Sequence, residues 1–317
     1  MKSRRKIISA LFAVFALCAA PSGAGAVDSS AAQFLRLGFG ARALGMGEAF
    51  TAVADDASAL YYNPAGLAMD GGPEVKAALF SHAWHIQDTG VSQAAVMLRP
   101  WGFGLTYFSA GEMEGMDDAG SPTGNFTARD LAFSAGRGYA LGPFRVGAAL
   151  KYVDEKIKDS SAHALAADAG LLYQAEGSPF KFGAALANFG TKIKFKEDAF
   201  PLPLTLKAGA SVVLKGLPLL IAAQADFPND SGAALRLGGE YSVAESLKFR
   251  LGYKTSSSSE RNAVLGTEMG GSSVGVSGMF GFFAGLGVSI GGFSLDYAMA
   301  PFGELGNDYR ISAGLKF

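Results

Sequence analysis

The chain of 317 residues is rich in glycine and phenylalanine, with 43 and 24 copies, and only 17% of its side chains are charged. Its 27 basic and 28 acidic residues nearly balance, so the sequence offers no basic stripe of the kind that binds nucleic acid. So much glycine disfavours a helical protein, whereas β-barrels tolerate it where strands bend or where the lumen is crowded.

The first 26 residues have the pattern of an export signal. A basic start is followed by an apolar run over residues 7–20, too short for a comfortable membrane span, and then by the small-x-small cleavage pattern of residues 24–26. We therefore predict that residues 1–26 are cleaved, which leaves 23 basic against 28 acidic side chains. The only cysteine, Cys18, is removed with them; a lipoprotein, acylated at Cys18, is disfavoured by the bulky Leu17 before it.

Residues 27–72 form a glycine-rich, mostly uncharged region without sustained alternation. We predict that this region is a plug, or hatch, inside a barrel. Within it, residues 55–58 are expected to cap a short helix that runs through Tyr62 and is stopped by Pro64.

Residues 73–317 repeat an alternation of apolar with polar or small residues, which is typical of strands that have two different faces. The pattern is clearest at 144–152, 247–254, 293–299 and 308–317. It is looser at 75–83, 91–98, 102–109, 131–139, 164–173, 180–189, 202–213, 219–227, 233–241 and 281–290. With about 17 residues for a strand and its connection, we predict an all-β fold, a transmembrane antiparallel β-barrel of about 14 strands.

Longer connections are expected at residues 111–125, 191–201 and 255–279, and we assign most of them to the exterior, since such barrels keep short turns on the periplasmic side. The last strand, residues 308–317, is predicted to pair with its predecessor and with the first strand near Val75, with its polar face toward water. Aromatic girdles are expected at Trp84, Trp101, Tyr107, Tyr139, Tyr152 and Tyr253.

A rival interpretation places a single transmembrane helix at residues 269–295, which carry no charge. The nine glycines of this span disfavour it. Moreover, Gly291-Gly292 lies where a hairpin turn is needed between two alternating runs.

Residues 40–67, from Gly40-Ala41-Arg42 to Asn63-Pro64-Ala65-Gly66-Leu67, closely resemble the start of the PorV/PorQ family of outer-membrane proteins. That family is related to the FadL long-chain fatty acid transporters, and Asn63-Pro64-Ala65 is the part shared with the wider FadL group. The chain's ending, at residues 295–298 and 303–306, is similar as well. The resemblance implies a fourteen-stranded barrel with an N-terminal hatch in the bacterial outer membrane. The plug residues it implies are Gly40, Gly45, Gly47, Asp55, Asn63, Pro64 and Ala65.

The function implied by the resemblance is divided. PorV-type members serve type IX secretion as a shuttle or scaffold for secreted cargo proteins, while FadL-type members pass hydrophobic small molecules through a hatch-gated lumen. A FadL-like passive transporter of long-chain fatty acids or hydrocarbons is thus the alternative to a secretion shuttle. Outer-membrane lipid is an expected partner in both. The aromatic C-terminus, Phe317, resembles the terminal signal that the barrel-insertion machinery reads.

We predict no catalytic site, cofactor or metal, and an outer-membrane enzyme is the least supported hypothesis. Residues 38–43 match a dinucleotide fingerprint and residues 271–275 a nucleophile elbow, but neither has the flanking elements that these motifs need. His82 and His85 are three residues apart, which places them on opposite faces of a strand, and His163 stands alone. Carboxylates that could hold calcium in an outer loop are interpreted instead as a solvated acidic loop: Glu112, Glu114, Asp117 and Asp118.

Overall fold

The computed structural model describes residues 30–68, 76–84, 89–117, 119–195, 197–214, 216–255, 281–301 and 307–317. The predicted signal, residues 1–26, lies outside these ranges. Fourteen strands form one closed antiparallel barrel, and a further pair, β8 and β9, forms a small hairpin. The strands are β1 (Lys76–Trp84), β2 (Gly90–Leu98), β3 (Trp101–Met116), β4 (Pro122–Leu141), β5 (Phe144–Ile157), β6 (Ser160–Tyr173), β7 (Phe180–Gly190), β8 (Ile193–Phe195), β9 (Asp198–Phe200), β10 (Thr205–Val213), β11 (Leu219–Pro228), β12 (Ala234–Ala244), β13 (Leu247–Lys254), β14 (Phe282–Ile290), β15 (Phe293–Pro301) and β16 (Asn307–Lys316).

The barrel confirms the predicted all-β fold, and each of the fourteen predicted stretches overlaps one barrel strand, although β3, β4 and β5 extend well beyond the predicted bounds. Strands that follow each other in sequence are neighbours in the sheet, except that β7 pairs with β10 across the small hairpin. The last strand closes the ring as predicted, since Leu315 lies opposite Phe293 of β15 and opposite Ala78 of β1.

Large apolar side chains cover the outward face of the barrel. Leu150 of β5 and Leu251 of β13 are each 71% exposed, and similar side chains surround them on the other strands. An exposed apolar belt of this extent is suited to contact with lipid rather than water. The predicted girdle aromatics lie on the same face, where Tyr253 is partly buried and the others are exposed: Trp84, Trp101, Tyr107, Tyr139 and Tyr152.

Two of the predicted exterior loops are partly wrong. Most of residues 111–125 instead extend β3 and β4 beyond the other strands: Met113 still pairs with Phe126 after a register shift, β3 continues to Met116 and β4 begins at Pro122. Residues 191–201 contain the β8–β9 hairpin, whose Ile193 is fully buried. Its strands have three residues each, too few for an alternation to be recognised. Of the third loop, residues 256–279 lie outside the described ranges.

The rival helix is excluded over its second half. Residues 282–290 and 293–301 form β14 and β15, joined at Gly291-Gly292 as the hairpin hypothesis requires. Residues 269–280 are not among those described. In the part of the chain that the structure describes, no helix is long and apolar enough to span a membrane.

Residues 30–68, here called the N-terminal segment, lie within the ring of strands. Their backbone contacts inward-facing side chains around the barrel: Ala41 N donates to Ser312 Oγ of β16, and Phe50 N donates to Gln224 Oε1 of β11. The main hydrophobic core accordingly lies between the segment and the barrel wall. The segment contains four short helices: the 3₁₀ helix η1 (Gln33–Arg36), α1 (Ala41–Gly45), α2 (Ala59–Tyr62) and the 3₁₀ helix η2 (Pro64–Ala68).

The expected capping of α2 is only partly found. The helix does end at Tyr62, before Pro64, but Ser58 at its N-cap makes no side-chain capping bond. Asp56 Oδ1 instead accepts hydrogen bonds from the backbone and the hydroxyl of Ser58, at 2.9 and 2.5 Å. The carboxylate thus shapes the turn that precedes the helix.

Two residues on the polar face of the last strand do not meet water, contrary to the expectation from its alternation, whereas Lys316 at the end of that face is exposed. Arg310 and Ser312 are each 1% exposed. Arg310 donates to the carbonyl of Gly38, and Ser312 Oγ accepts from Ala41 N at 2.6 Å. These side chains satisfy backbone groups of the N-terminal segment that have no partner within its short helices.

Ten inward-facing glycines let the N-terminal segment approach the wall this closely. A Cβ atom at any of them would lie within 3.1 Å of an atom of the segment. The ten residues, here called the glycine belt, come from eight strands and explain much of the glycine content as lumen crowding. They are Gly102, Gly104, Gly136, Gly138, Gly147, Gly170, Gly183, Gly238, Gly252 and Gly285.

The belt can be tested with two adjacent glycines of β12. Gly238 faces the backbone of Met46, whereas Gly239 faces outward with its nearest neighbouring atom 3.9 Å from a Cβ position. We expect Gly238→Ala to lower the free energy of unfolding in urea by about 1–3 kcal/mol through overpacking. Gly239→Ala is the matched control and should not lower it; equal losses in both variants would contradict the close packing.

Candidate functional site in the lumen

Asn63 joins the N-terminal segment to two strands of the barrel. The side chain is fully buried. Its Nδ2 donates to Thr51 O at 2.9 Å and to Leu171 O of β6 at 3.1 Å, and lies 3.4 Å from Ala184 O of β7. Its Oδ1 accepts from Ala65 N at 3.1 Å. One amide therefore satisfies buried backbone groups of both the segment and the wall.

Pro64 and Ala65 follow Asn63 in η2 and are both buried against the wall. The carbonyl of Pro64 faces Gly147 of β5, and Ala65 N approaches Gly170 of β6, where any larger residue would clash. The three motif residues thus form one contact with β5, β6 and β7. Their predicted role in controlling passage stays a prediction.

The three predicted glycines position backbone and carry no group that could bind a ligand. Gly40 precedes α1 with a φ of 82°, and Gly47 follows it with a φ of 61°, conformations that favour glycine. Gly45 ends α1 beside Gly285, where a Cβ atom would lie 3.0 Å from the opposing Cα.

Asp55 belongs to a charge network centred on Arg42 of α1. Arg42 Nη1 donates to Asp55 Oδ1 at 2.5 Å and to Asp56 Oδ2 at 3.1 Å. Its Nε donates to Glu240 Oε2 of β12 at 2.8 Å, and that carboxylate also accepts from Arg250 of β13 at 2.7 Å. Burial alone would lower the pKa of Arg42, but its three carboxylate neighbours, Asp55 first, hold that pKa well above its usual range.

A second charge network, which the sequence analysis missed, holds the loop after α1. Arg236 of β12 donates to Glu48 Oε2 at 2.6 Å and to Gly47 O at 3.1 Å. It also binds Asp226 Oδ2 of β11 at 2.5 Å. The signal that could have found these residues is the presence of full charges at inward positions of the strand alternation.

Gln224 of β11 provides a third unpredicted anchor. Its Oε1 accepts from both Phe50 N, at 3.0 Å, and Thr51 N, at 2.9 Å. Because the side chain is 4% exposed, these bonds do not compete with bulk water. Together, the inward polar residues fix the inner part of the N-terminal segment; nothing in their geometry indicates bond-making chemistry.

The outer part of the lumen contains both charged and apolar side chains. The buried charged groups on its wall include Glu155 of β5 and the ion pair between Lys151 and Asp168, with 2.7 Å between Nζ and Oδ2. Small buried apolar side chains of β4, β5 and β6 pack there with Phe34 of η1 and with residues from the connection between β7 and β10. We call this set the outer apolar cluster: Ala32, Phe34, Ala132, Val153, Ala162, Ala164, Ala166, Ile193 and Leu202.

Residues 30–37, here called the strap, cross this outer part and are bound by Asp230, which follows β11. The buried carboxylate accepts from Ser30 Oγ and from Gln33 Nε2, at 2.9 Å for the latter, and pairs with Arg36. Burial alone would raise the pKa of Asp230, but these hydrogen bonds and the Arg36 charge lower it. The carboxylate therefore stays ionised and keeps the strap in place.

A cavity of about 480 Å³ opens at the opposite, short-turn end of the barrel. It lies between the N-terminal segment, at Arg42 and Ser58, and the strand ends near Ser246, Gly291 and Lys316. Its lining mixes charged, hydroxyl and apolar groups. The lumen thus has an outer region with an apolar cluster, a segment-filled middle and a partly polar inner cavity.

The histidines and acidic residues weighed in the sequence do not converge. His82 lies on the outward face of β1, and its Nδ1 is 2.9 Å from Ser92 Oγ. His163 lies on the exposed face of β6, and its Nδ1 is 2.8 Å from Oδ2 of Asp154 on β5. Asp117 Oδ1 accepts from two backbone amides of its own turn. No group of three metal-ligating side chains occurs among the described residues, which exclude His85 and Asp118.

The two enzyme-like motifs gain no support. Gly38, in the dinucleotide pattern, is packed against Tyr62 Oη, where a Cβ atom would lie at 2.7 Å, so a close backbone approach explains this glycine. Residues 271–275 are outside the described ranges. At the C-terminus, Phe317 is 61% exposed and its backbone N–H donates to Lys76 O at 3.0 Å. Its role as an assembly signal stays a prediction.

Comparison with known proteins supports the fold. No protein-family model and no curated protein matches the sequence. The toluene transporter TodX of Pseudomonas putida superposes with a TM-score of 0.53 at 14% identity, over 88% of this chain and 97% of that one. A FadL homologue of Pseudomonas aeruginosa superposes with a TM-score of 0.54 at 13% identity, over 87% of this chain and 98% of that one. A TodX mutant described as a monoaromatic hydrocarbon channel gives 0.55 at 13% identity, over 88% and 98%.

At such low identity, the likeness shows a shared fold. The predicted relation to FadL-like barrels is therefore confirmed at the level of the fold, whereas the PorV/PorQ resemblance stays a prediction. The expectation that this chain is not an enzyme stays a prediction.

The role of Asn63 can be measured by removing its amide. We expect Asn63→Ala to lower the free energy of unfolding by about 1–3 kcal/mol, because buried carbonyls lose their donor. Asn125→Ala, at an exposed position of β4, is the control and should change it little. Limited proteolysis of the folded barrel should also cut the N-terminal segment faster in Asn63→Ala alone; identical cleavage in both variants would contradict the anchoring role.

Proposed function

We propose that the protein is an outer-membrane channel that passes hydrophobic small molecules, with the N-terminal segment as its plug. The observation that carries this proposal is the outer apolar cluster. In this cluster, alanine and valine side chains of β4, β5 and β6 form an apolar surface, which suits a hydrophobic molecule better than an ion or a sugar. The exposed apolar belt around the barrel supports a location in the outer membrane.

The way in which the outer lumen is filled also favours passage. The space next to the alanine wall is occupied by Phe34, which belongs to the strap and not to a strand. The strap is bound through Asp230 and contributes no strand pairing to the barrel. It can therefore leave the outer apolar cluster without breaking the sheet, and an apolar molecule can take its place.

The inner region is expected to change more locally. Asn63, Arg42 and Arg236 bind the segment to several strands at once, so that its wholesale release would leave many buried polar groups without partners. We propose that passage toward the 480 Å³ cavity follows rearrangement of part of the segment rather than its expulsion.

The substrate class follows from the lining. Small neutral or weakly polar hydrophobic molecules fit the outer apolar cluster, since it offers contacts without hydrogen-bond donors from its side chains. The similarity to the toluene transporter TodX supports a hydrocarbon, and the FadL relation supports a long-chain fatty acid. Both are proposed substrates.

Type IX secretion is the second candidate function. It rests on the resemblance of residues 40–67 and on one structural observation, the extension of β3 and β4 beyond the neighbouring strands. This hairpin exposes Glu112 and Glu114 to solvent and could bind a secreted protein. Cross-linking in intact cells that recovers a secreted cargo protein on the hairpin would favour this role over passage.

Uptake into proteoliposomes tests the proposed channel, with toluene and oleate as probes. We expect faster entry than into protein-free vesicles, and an entry rate several-fold lower for Ala164→Phe, which fills the outer apolar cluster. Ala169→Phe, at an exposed position on the outward face of the same strand, β6, is the control and should behave like the unmodified protein. If neither probe enters faster than in protein-free vesicles, the proposed function is wrong.

A further inference from the structure

An arginine lies on the outward, lipid-facing side of β4. Phe133 and Tyr139 on this side are each 50% exposed, whereas the alternate residues Ser134, Gly136 and Gly138 are buried toward the lumen. Arg137 falls in the outward set and is half-buried. A full charge at such a position is unfavourable in hydrocarbon unless the side chain reaches an anion or water.

Two aromatic rings hold the guanidinium of Arg137. Its carbon lies 4.7 Å from the ring centre of Trp101 and 4.6 Å from that of Tyr139, both within the range of cation–π contact. Trp101 is also the residue directly opposite Arg137 in the pairing of β3 with β4. The side chain is therefore oriented by its neighbours and does not extend freely from the surface.

The same guanidinium lacks an acceptor. Within the described ranges, no carboxylate or other hydrogen-bond acceptor contacts it, and its Nε is shielded from solvent without a partner. By contrast, Arg145 on the adjacent strand donates to Gly142 O at 2.6 Å and to Phe144 O at 3.1 Å. The four N–H groups of Arg137 Nη1 and Nη2 are thus available for a ligand that is not part of this chain.

The position along the strand identifies that ligand. Arg137 lies four residues before Leu141, where β4 ends in the short turn to β5. Short turns mark the periplasmic end of such barrels, and an arginine near that interface reaches the headgroups. The anionic groups in that layer are phosphates, whose oxygens match the planar guanidinium in a bidentate arrangement.

We propose that Arg137, held between Trp101 and Tyr139, binds the phosphate of a phospholipid headgroup in the periplasmic leaflet. The proposal rests on the membrane location put forward above and does not depend on which molecules pass through the lumen. It gives the barrel a fixed lipid neighbour on the β3–β4–β5 wall, beside the part of the glycine belt that receives Leu67 and Ala68.

Trp101 itself provides the readout. The sequence has two tryptophans, so Trp84→Phe leaves Trp101 as the only one. In detergent solution, this single-tryptophan protein is titrated with a bromine-labelled phosphatidylglycerol, which quenches a tryptophan that it contacts. A bromine-labelled galactosyl diacylglycerol, which has the same tails and no phosphate, is the lipid control.

We expect Arg137→Gln, made in the Trp84→Phe background, to need about tenfold or more phosphatidylglycerol for the same quenching of Trp101. The reason is that the variant loses a charged hydrogen bond to the lipid. Arg145→Gln should need the same lipid concentration as the background. Arg137→Lys should need a concentration between those of the background and Arg137→Gln, since lysine keeps the charge without the planar fork. Equal quenching by both lipids, or an unchanged titration in Arg137→Gln, would overturn the proposal.

Folding of each variant is checked by heat-modifiable migration on a gel. Should Arg137→Gln not fold, the comparison is made with Tyr139→Leu, which keeps the arginine but removes one of its two rings. A several-fold increase in the lipid concentration that this variant needs for quenching supports the site, and an unchanged concentration overturns it. Uptake of toluene and oleate is measured separately, so failure of the channel and failure of the lipid site remain distinguishable.

Discussion

The structure depends on how closely the N-terminal segment packs against the barrel wall. A fourteen-stranded ring encloses more space than its own inward side chains fill, and here the excess is occupied by backbone and side chains of residues 30–68. The glycine belt makes this possible, because ten wall positions carry no side chain where the segment touches them. Packing at this density leaves little freedom for movement of the segment as a whole.

Polar contacts add specificity to that packing. Arg42, Arg236 and Asn63 each bind groups on both the segment and the wall. The wall carboxylates Glu240 and Asp226 are buried. Pairs of buried charges contribute little net stability, since desolvation offsets their attraction, yet removal of one member leaves the other unpaired at a high cost. These networks therefore fix one arrangement of the segment more than they strengthen the barrel. The strap makes none of the glycine-belt contacts, which agrees with the proposed opening of the outer apolar cluster.

The barrel could be predicted from the sequence because a lipid-facing strand must alternate, and the two-residue period is visible in residues 144–152 and 308–317 alike. The same pattern predicts three further features: the even number of strands, the pairing of β16 with β1, and the hairpin at Gly291-Gly292. The glycine content indicated a crowded lumen, but it could not show which glycines face the segment, since that depends on contacts between residues far apart in the sequence.

The predicted site was less complete for the same reason. The motif located Asn63, Pro64, Ala65 and Asp55. The groups that hold this part of the segment against the wall lie on strands distant in sequence, and include Leu171 and Glu240. Alternation alone also suggested that Arg310 faces water. The sequence pattern of a polar inward face is the same whether that face meets solvent or a buried backbone. The β8–β9 hairpin was missed since three-residue strands carry no period, and its burial of Ile193 is a tertiary effect.

Hydrogen exchange of the purified protein in detergent, followed residue by residue, tests the central claim most directly. The amides of Phe50, Thr51 and Ala65 have no strand partners, and their hydrogen bonds go to Gln224 and Asn63 side chains. If the segment is packed into the glycine belt as described, these amides exchange as slowly as those of the central barrel strands. Exchange as fast as that of an unstructured chain, while the barrel strands stay protected, would contradict the account.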